Sequence, residues 1–186
     1  WALRHGVPIH YFEWLLDHRA DPALPDKDRI NSVAEAARNG RADVLALFDK
    51  RGVIVALEGD DRFLAACARG DEQEAKSLLA ADPSLVDRIQ SRNPGMLADF
   101  AGGGNTAAVR LMLDCGFDVG MARTTPNWVS GETALHVAAA QGRQAIAELL
   151  IERGAPLEAE RRGGLTPLGV AFRCLDSPRR RRLLSI

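Results

Sequence analysis

The chain has 186 residues, 46% apolar and 26% charged, with a net charge of −1. That balance excludes a compositionally disordered chain and a globally basic binder of nucleic acid or anionic membrane. No apolar run reaches the ~18 residues of a bilayer span, and the opening Trp1-Ala2-Leu3-Arg4-His5 lacks a secretory signal layout.

Taken in chain order, the segments repeat one device. Tyr11-Phe12-Glu13-Trp14-Leu15-Leu16 reads as an amphipathic helix that exits at Arg19-Ala20-Asp21-Pro22. Gly40 then leads into Val44-Leu45-Ala46-Leu47-Phe48 and Gly52. Gly70 leads into Ala75-Lys76-Ser77-Leu78-Leu79 and an exit at Asp82-Pro83-Ser84-Leu85. Gly104 leads into Ala108-Val109-Arg110-Leu111-Met112-Leu113 and Gly116, and Gly142 into Ile146-Ala147-Glu148-Leu149-Leu150 and Gly154. Twelve residues separate Gly40 from Gly52, Gly104 from Gly116 and Gly142 from Gly154, while the anchoring glycines stand 30, 34 and 38 apart. Each unit is therefore a helix, a glycine turn and a second helix. Ala65, Ala66, Ala138 and Ala139 allow the first helices to pack closely, and the Leu-rich stripes of the second helices supply the apolar face.

The clearest copy is Gly131-Glu132-Thr133-Ala134-Leu135-His136-Val137-Ala138-Ala139-Ala140-Gln141-Gly142. Thr166-Pro167-Leu168-Gly169-Val170-Ala171 follows 33 residues after Thr133, with Gly169 where the first copy has His136. The pattern resembles the ankyrin repeat, whose T-P-L-H-x-A helix, glycine turn and V-x-x-L-L helix it reproduces. Asn31-Ser32, Asp61-Arg62 and Gly95-Met96 stand in place of Thr-Pro in the weaker copies. The resemblance implies an all-α solenoid of stacked helix-turn-helix pairs. Its expected divisions are a partial repeat over 1–28, repeats over about 29–59, 60–92, 93–130 and 131–163, and a partial repeat over 164–186. Ala2–Gly6 reads as the end of a first helix, and Arg182–Ile186 falls where a second helix should run. Both points suggest a fragment of a longer chain.

Sites of chemistry are scarce. Cys67, Cys115 and Cys174 form no CxxC pair and fit thiols in a reducing, cytoplasmic setting rather than a disulfide framework or zinc cage. His5, His10 and His18 match no metal-ligand spacing, and the resemblance gives His136 a structural role. Ala101-Gly102-Gly103-Gly104-Asn105-Thr106 lacks the strand and the Gly-Lys-Ser/Thr of a phosphate loop and reads as an interhelical turn. Glu58, Asp60 and Asp61 form an acidic knot without the rest of a calcium loop, so they are expected in a solvated turn. No catalytic residue, cofactor or metal ligand is expected.

The resemblance implies a protein-interaction module that docks its partner on a concave surface, formed by the hairpin tips and the ends of the first helices. Carried onto this chain, the helix ends offer Arg38, Asn39, Arg69, Gln141 and Arg173. The tips offer Arg92, Trp128, Glu132, Arg161 and Arg162. Trp128 lies in an insertion, 122–130, expected to form an extended finger. A monomer is expected, and the arginines suggest a protein partner that presents acidic groups to Arg38, Arg69 and Arg173. Two other functions are compatible: the regulatory or targeting arm of a larger enzyme or effector, and nucleic-acid association through the run Arg179–Arg182, which also suits the solvated face of a closing helix.

Overall fold

The computed structural model describes residues 7–124 and 130–175. It is all-helical: α1 (Ile9–Asp17), α2 (Ser32–Arg38), α3 (Ala42–Lys50), α4 (Gly59–Arg69), α5 (Glu72–Ala81), α6 (Leu85–Arg92), α7 (Met96–Gly103), α8 (Thr106–Asp114), α9 (Ala134–Gln141), α10 (Gln144–Glu152) and α11 (Pro167–Leu175). Among the described residues no strand occurs, and the one extended pairing is an isolated antiparallel bridge between Arg161 and Leu165.

The helices start and stop where short polar side chains and glycines dictate. Asn31 accepts the Ala34 N–H at 2.9 Å to open α2, and Asp71 accepts the Glu74 N–H at 2.9 Å to open α5. Each such cap satisfies a backbone donor that has no partner inside the helix, worth about 1 kcal/mol. The four anchoring glycines all turn the chain through the left-handed region, with φ of 64° at Gly40, 73° at Gly70, 78° at Gly104 and 63° at Gly142. Pro167, which has no N–H to lose, takes the first position of α11 as expected from the sequence.

Stacking supplies the core. First helices meet in the pairs α2–α4, α7–α9 and α9–α11, and second helices in the pairs α1–α3 and α8–α10, with α4 also resting on α8. Ala36, Ala37, Ala101 and Ala138 are fully buried and bring the first helices close. Leu45, Phe63, Met112, Leu149 and Leu150 fill the layer behind them, and the Phe63 and Phe117 rings lie nearly parallel with centroids 6.3 Å apart. Each buried Leu or Phe contributes roughly 1.5–3 kcal/mol, so one repeat holds its neighbour.

Three features depart from the sequence expectation. Asp82–Leu85 does not simply leave the repeat. Asp82 takes the Ser84 N–H at 3.1 Å, the chain turns into α6, and Leu85, Val86 and Ile89 are buried. Arg92, expected at a hairpin tip, thus occupies the last turn of a helix. Second, α4 begins at Gly59, so Asp60 and Asp61 belong to its first turn, where carboxylates favour the helix dipole. Third, α7 leans on the end of α2 and not along α4, whose main contacts are with α2, α3, α5 and α8. A Cβ on Gly103 would lie 2.7 Å from the Asn39 carbonyl oxygen, and one on Gly40 2.7 Å from the Phe100 ring. Only glycines permit so near an approach.

Candidate functional site

Because α7 closes on α2 at one end only, the other end of α4 stays uncovered. An open cavity of about 280 Å³ lies there, walled by α2 on one side and by α6 and α7 on the other. Leu64, Ile89 and Met96 form its floor, while Glu35, Asp60, Asp61 and Asp99 line its sides with Arg38 and Arg92.

The charged groups of this face are paired. Arg38 grips both oxygens of Asp61, Nε at 2.6 Å and Nη2 at 2.9 Å. Asp60 accepts from Arg88 at its Oδ1 (3.0 and 2.9 Å) and from Arg92 at its Oδ2 (2.9 Å), so α6 is tied across to the start of α4. Arg88 also holds Asp82 at 2.7 Å. Asp99 of α7 accepts from Arg123 at 2.9 Å and from Asn93 at 3.3 Å. The ladder continues to Glu132, whose carboxylate lies 3.3 Å from Arg123 and 3.5 Å from Arg161. Burial raises the Glu132 carboxyl above its ordinary range even though these two guanidiniums pull it down.

The residues picked from the sequence separate into groups. Arg38, Asn39 and Arg92 meet at the cavity. Asn39 is 4% exposed, and its amide donates to the Glu35 carbonyl at 2.8 Å and the Glu35 carboxylate at 3.1 Å. Glu132 and Arg161 join the buried end of the ladder. Gln141, Arg162 and Arg173 are exposed further along, at the ends of α9 and α11 and on the hairpin between them. Arg69 is elsewhere: it binds Asp49 of α3 at 3.1 Å and borders a recess lined by Val53, Val55 and Leu57. The insertion is closed at its base by hydrogen bonds from the Arg123 N–H to the Glu132 carbonyl (3.0 Å) and from the Gly131 N–H to the Arg123 carbonyl (2.8 Å). Trp128, His5, the segment 2–6 and the run Arg179–Arg182 lie outside the described residues.

Sequence reasoning passed over Asp60, Arg88, Asp99 and Arg123 as members of this face. The signal for Arg88 was present: Leu85, Val86 and Ile89 have helical spacing, which puts Arg88 and Arg92 on one side of a helix. For the Asp60–Arg88 pair no local signal exists, since the two lie 28 positions apart.

His136 is structural. Its Nε2 donates to the Leu165 carbonyl at 2.9 Å, leaving Nδ1 to accept from the Thr133 hydroxyl at 2.9 Å and the Thr133 N–H at 3.2 Å. Burial lowers its pKa, as the neutral ring that these partners require demands. Cys67 and Cys115 are buried free thiols. Among the described residues no three His, Cys, Asp or Glu side chains are grouped to hold a metal ion, and no helix is long and apolar enough to cross a membrane.

Comparison with known proteins agrees with this architecture. Residues 62–161 match the family model described as ankyrin repeats in three copies. The chain is similar to the ankyrin repeat and SAM domain-containing protein 6 of Danio rerio, 31% identical over 145 residues that cover 75% of this chain and 17% of that protein. It is also similar to the ankyrin repeat and KH domain-containing protein mask of Drosophila melanogaster, 36% identical over 103 residues, 55% of this chain and 2% of that protein. The human ankyrin repeat and KH domain-containing protein 1 is 35% identical over 102 residues, 55% of this chain and 4% of that protein. The chain thus spans a small part of the length of each relative.

Proposed function

The chain belongs to the ankyrin-repeat family, and from that premise we propose that it binds a protein partner without catalysing a reaction, docking it across the face built by α2, α4, α6, α7 and the exposed ends of α9 and α11. One observation carries the proposal: an open, charged cavity of about 280 Å³ lies over α4, lined by side chains of α2, α4, α6 and α7. Ankyrin repeats are generally protein-interaction modules, and a solenoid leaves such a surface exposed along its length.

Acidic groups of a partner would meet the far end of the face, at the exposed Arg173 of α11 and Gln141 of α9. Trp128, in the insertion that precedes α9 in the sequence, would add an aromatic anchor. The protein would act as a monomer in the cytoplasm, where Cys67 and Cys115 stay reduced. It would serve alone or as the targeting arm of a longer enzyme or effector.

The test compares two charge insertions. A Gln141→Glu/Arg173→Glu double variant and an Ala80→Glu variant, on the exposed side of α5, are each used to capture proteins from the native source. Partners retained by Ala80→Glu and lost by the double variant support docking on the first-helix face. Equal retention, or loss with Ala80→Glu alone, overturns it.

A further inference from the structure

The cavity over α4 selects a kind of partner, on the premise of the docking face proposed above. Four carboxylates, Glu35, Asp60, Asp61 and Asp99, line it against two guanidiniums, Arg38 and Arg92. Beneath them the floor is apolar, with Leu64 at 1%, Ile89 at 2% and Met96 at 5% exposure. An apolar floor under an acidic rim matches a long basic side chain, which lays its methylene stem on apolar surface and keeps its charge at the edge. A recess of about 280 Å³ has room for one long side chain. We infer that the cavity receives a lysine or arginine side chain from a basic segment of a protein partner, and that its cation is held at Asp60.

Asp60 is singled out by how its neighbours are tied. Arg38 occupies both oxygens of Asp61, and Asp99 is 10% exposed and bonded at both oxygens. Asp60 Oδ2, by contrast, is held by one contact from Arg92, whose side chain is 69% exposed. An exposed ion pair of that kind is weak and readily exchanged. The incoming cation replaces Arg92, which swings into solvent, and Arg88 on Oδ1 keeps the carboxylate compensated throughout. An acidic side chain finds no such exchange, since Arg38, Arg88 and Arg123 already hold carboxylates of this face.

A random peptide library displayed on phage, panned against the chain, tests this directly. The expected peptides share a lysine or arginine. They bind Asp60→Asn at least about tenfold more weakly, since a charged hydrogen bond is lost, and bind Arg92→Ala several-fold more tightly because the competitor for Oδ2 is gone. A purely structural Asp60 would not yield that gain. Where Asp60→Asn fails to unfold cooperatively, Arg92→Ala decides alone: tighter binding supports the inference, and unchanged or weaker binding overturns it. Recovery of no peptide, or of peptides without a common basic residue, also overturns it. If such non-basic peptides are lost on Gln141→Glu/Arg173→Glu, the docking face stands and only its preference for a basic segment falls.

Discussion

The helix pairs α9–α10 and α4–α5 share a helix, glycine turn and helix but are held to their surroundings by different chemistry. In the first, a neutral network does the tying: His136 links the Thr133 cap to Leu165 in the next repeat while fully buried. In the second there is no Thr-Pro-Leu-His, and the start of α4 is fastened by guanidiniums arriving from α2 and α6. The neutral device is buried and compact, so little surface is left to read. The ionic one sits half in solvent and leaves a cavity with exchangeable partners. Where the family motif fades, the chain gains an open, charged cavity.

That contrast can be broken at its buried side first. His136→Ala removes a fully buried ring and leaves the Thr133 N–H and hydroxyl without their acceptor, each costing about 1–3 kcal/mol, while the Leu165 carbonyl keeps the Arg161 N–H at 3.1 Å. A loss of about 3–4 kcal/mol in urea unfolding is expected. The same ring makes stability depend on pH. Its folded pKa lies below the unfolded value of 6.5, so the unfolded chain gains a proton that the folded chain refuses. Stability is therefore full above that value and declines as pH falls below it. His136→Ala should flatten the dependence between about pH 7 and pH 5, and an unchanged slope would assign it to other groups.

Next in size is Asn105, which ties three repeats at once. It caps α8 by accepting the Ala108 N–H at 3.1 Å, and donates to the Ala68 carbonyl at 2.7 Å and the Gly40 carbonyl at 3.3 Å. Asn105→Ala should cost about 2–3 kcal/mol, a cap plus the Ala68 carbonyl left without a donor, while the Gly40 carbonyl keeps the Ala42 N–H at 3.0 Å. A cost below about 1 kcal/mol would mean that the cap alone matters. Smallest is Arg69→Ala, whose partner Asp49 is 56% exposed and whose own side chain is 39% exposed. About 0–1 kcal/mol is expected, and a larger loss in the same unfolding series would place Arg69 in the structural frame.

The difference between the two helix pairs also explains what could be read in advance. Glycine turns and the Thr133–His136 cap are local chemistry, fixed by residues a few positions apart, and these were legible. The cavity is tertiary. Asp60 and Asp61 looked like a solvated turn because Arg88 and Arg38, the groups that engage them, lie 28 and 23 residues away. Arg38 and Arg69 looked equivalent because both close a first helix, yet Arg38 stands two residues before its glycine and Arg69 one. One residue is about 100° around a helix, enough to send Arg38 to the cavity and Arg69 to α3. Helix α6 was announced by Leu85, Val86 and Ile89, but Asp82-Pro83-Ser84 had the composition of an exit loop.

Amide chemical shifts of the labelled chain, titrated with the tightest peptide from the library, test the docking face most directly. Perturbations gathered on α2, the start of α4, α6 and α7 around Leu64 and Asp60 are predicted. Perturbations gathered on α3, α5, α8 and α10 would put binding on the opposite side of the solenoid and contradict the account.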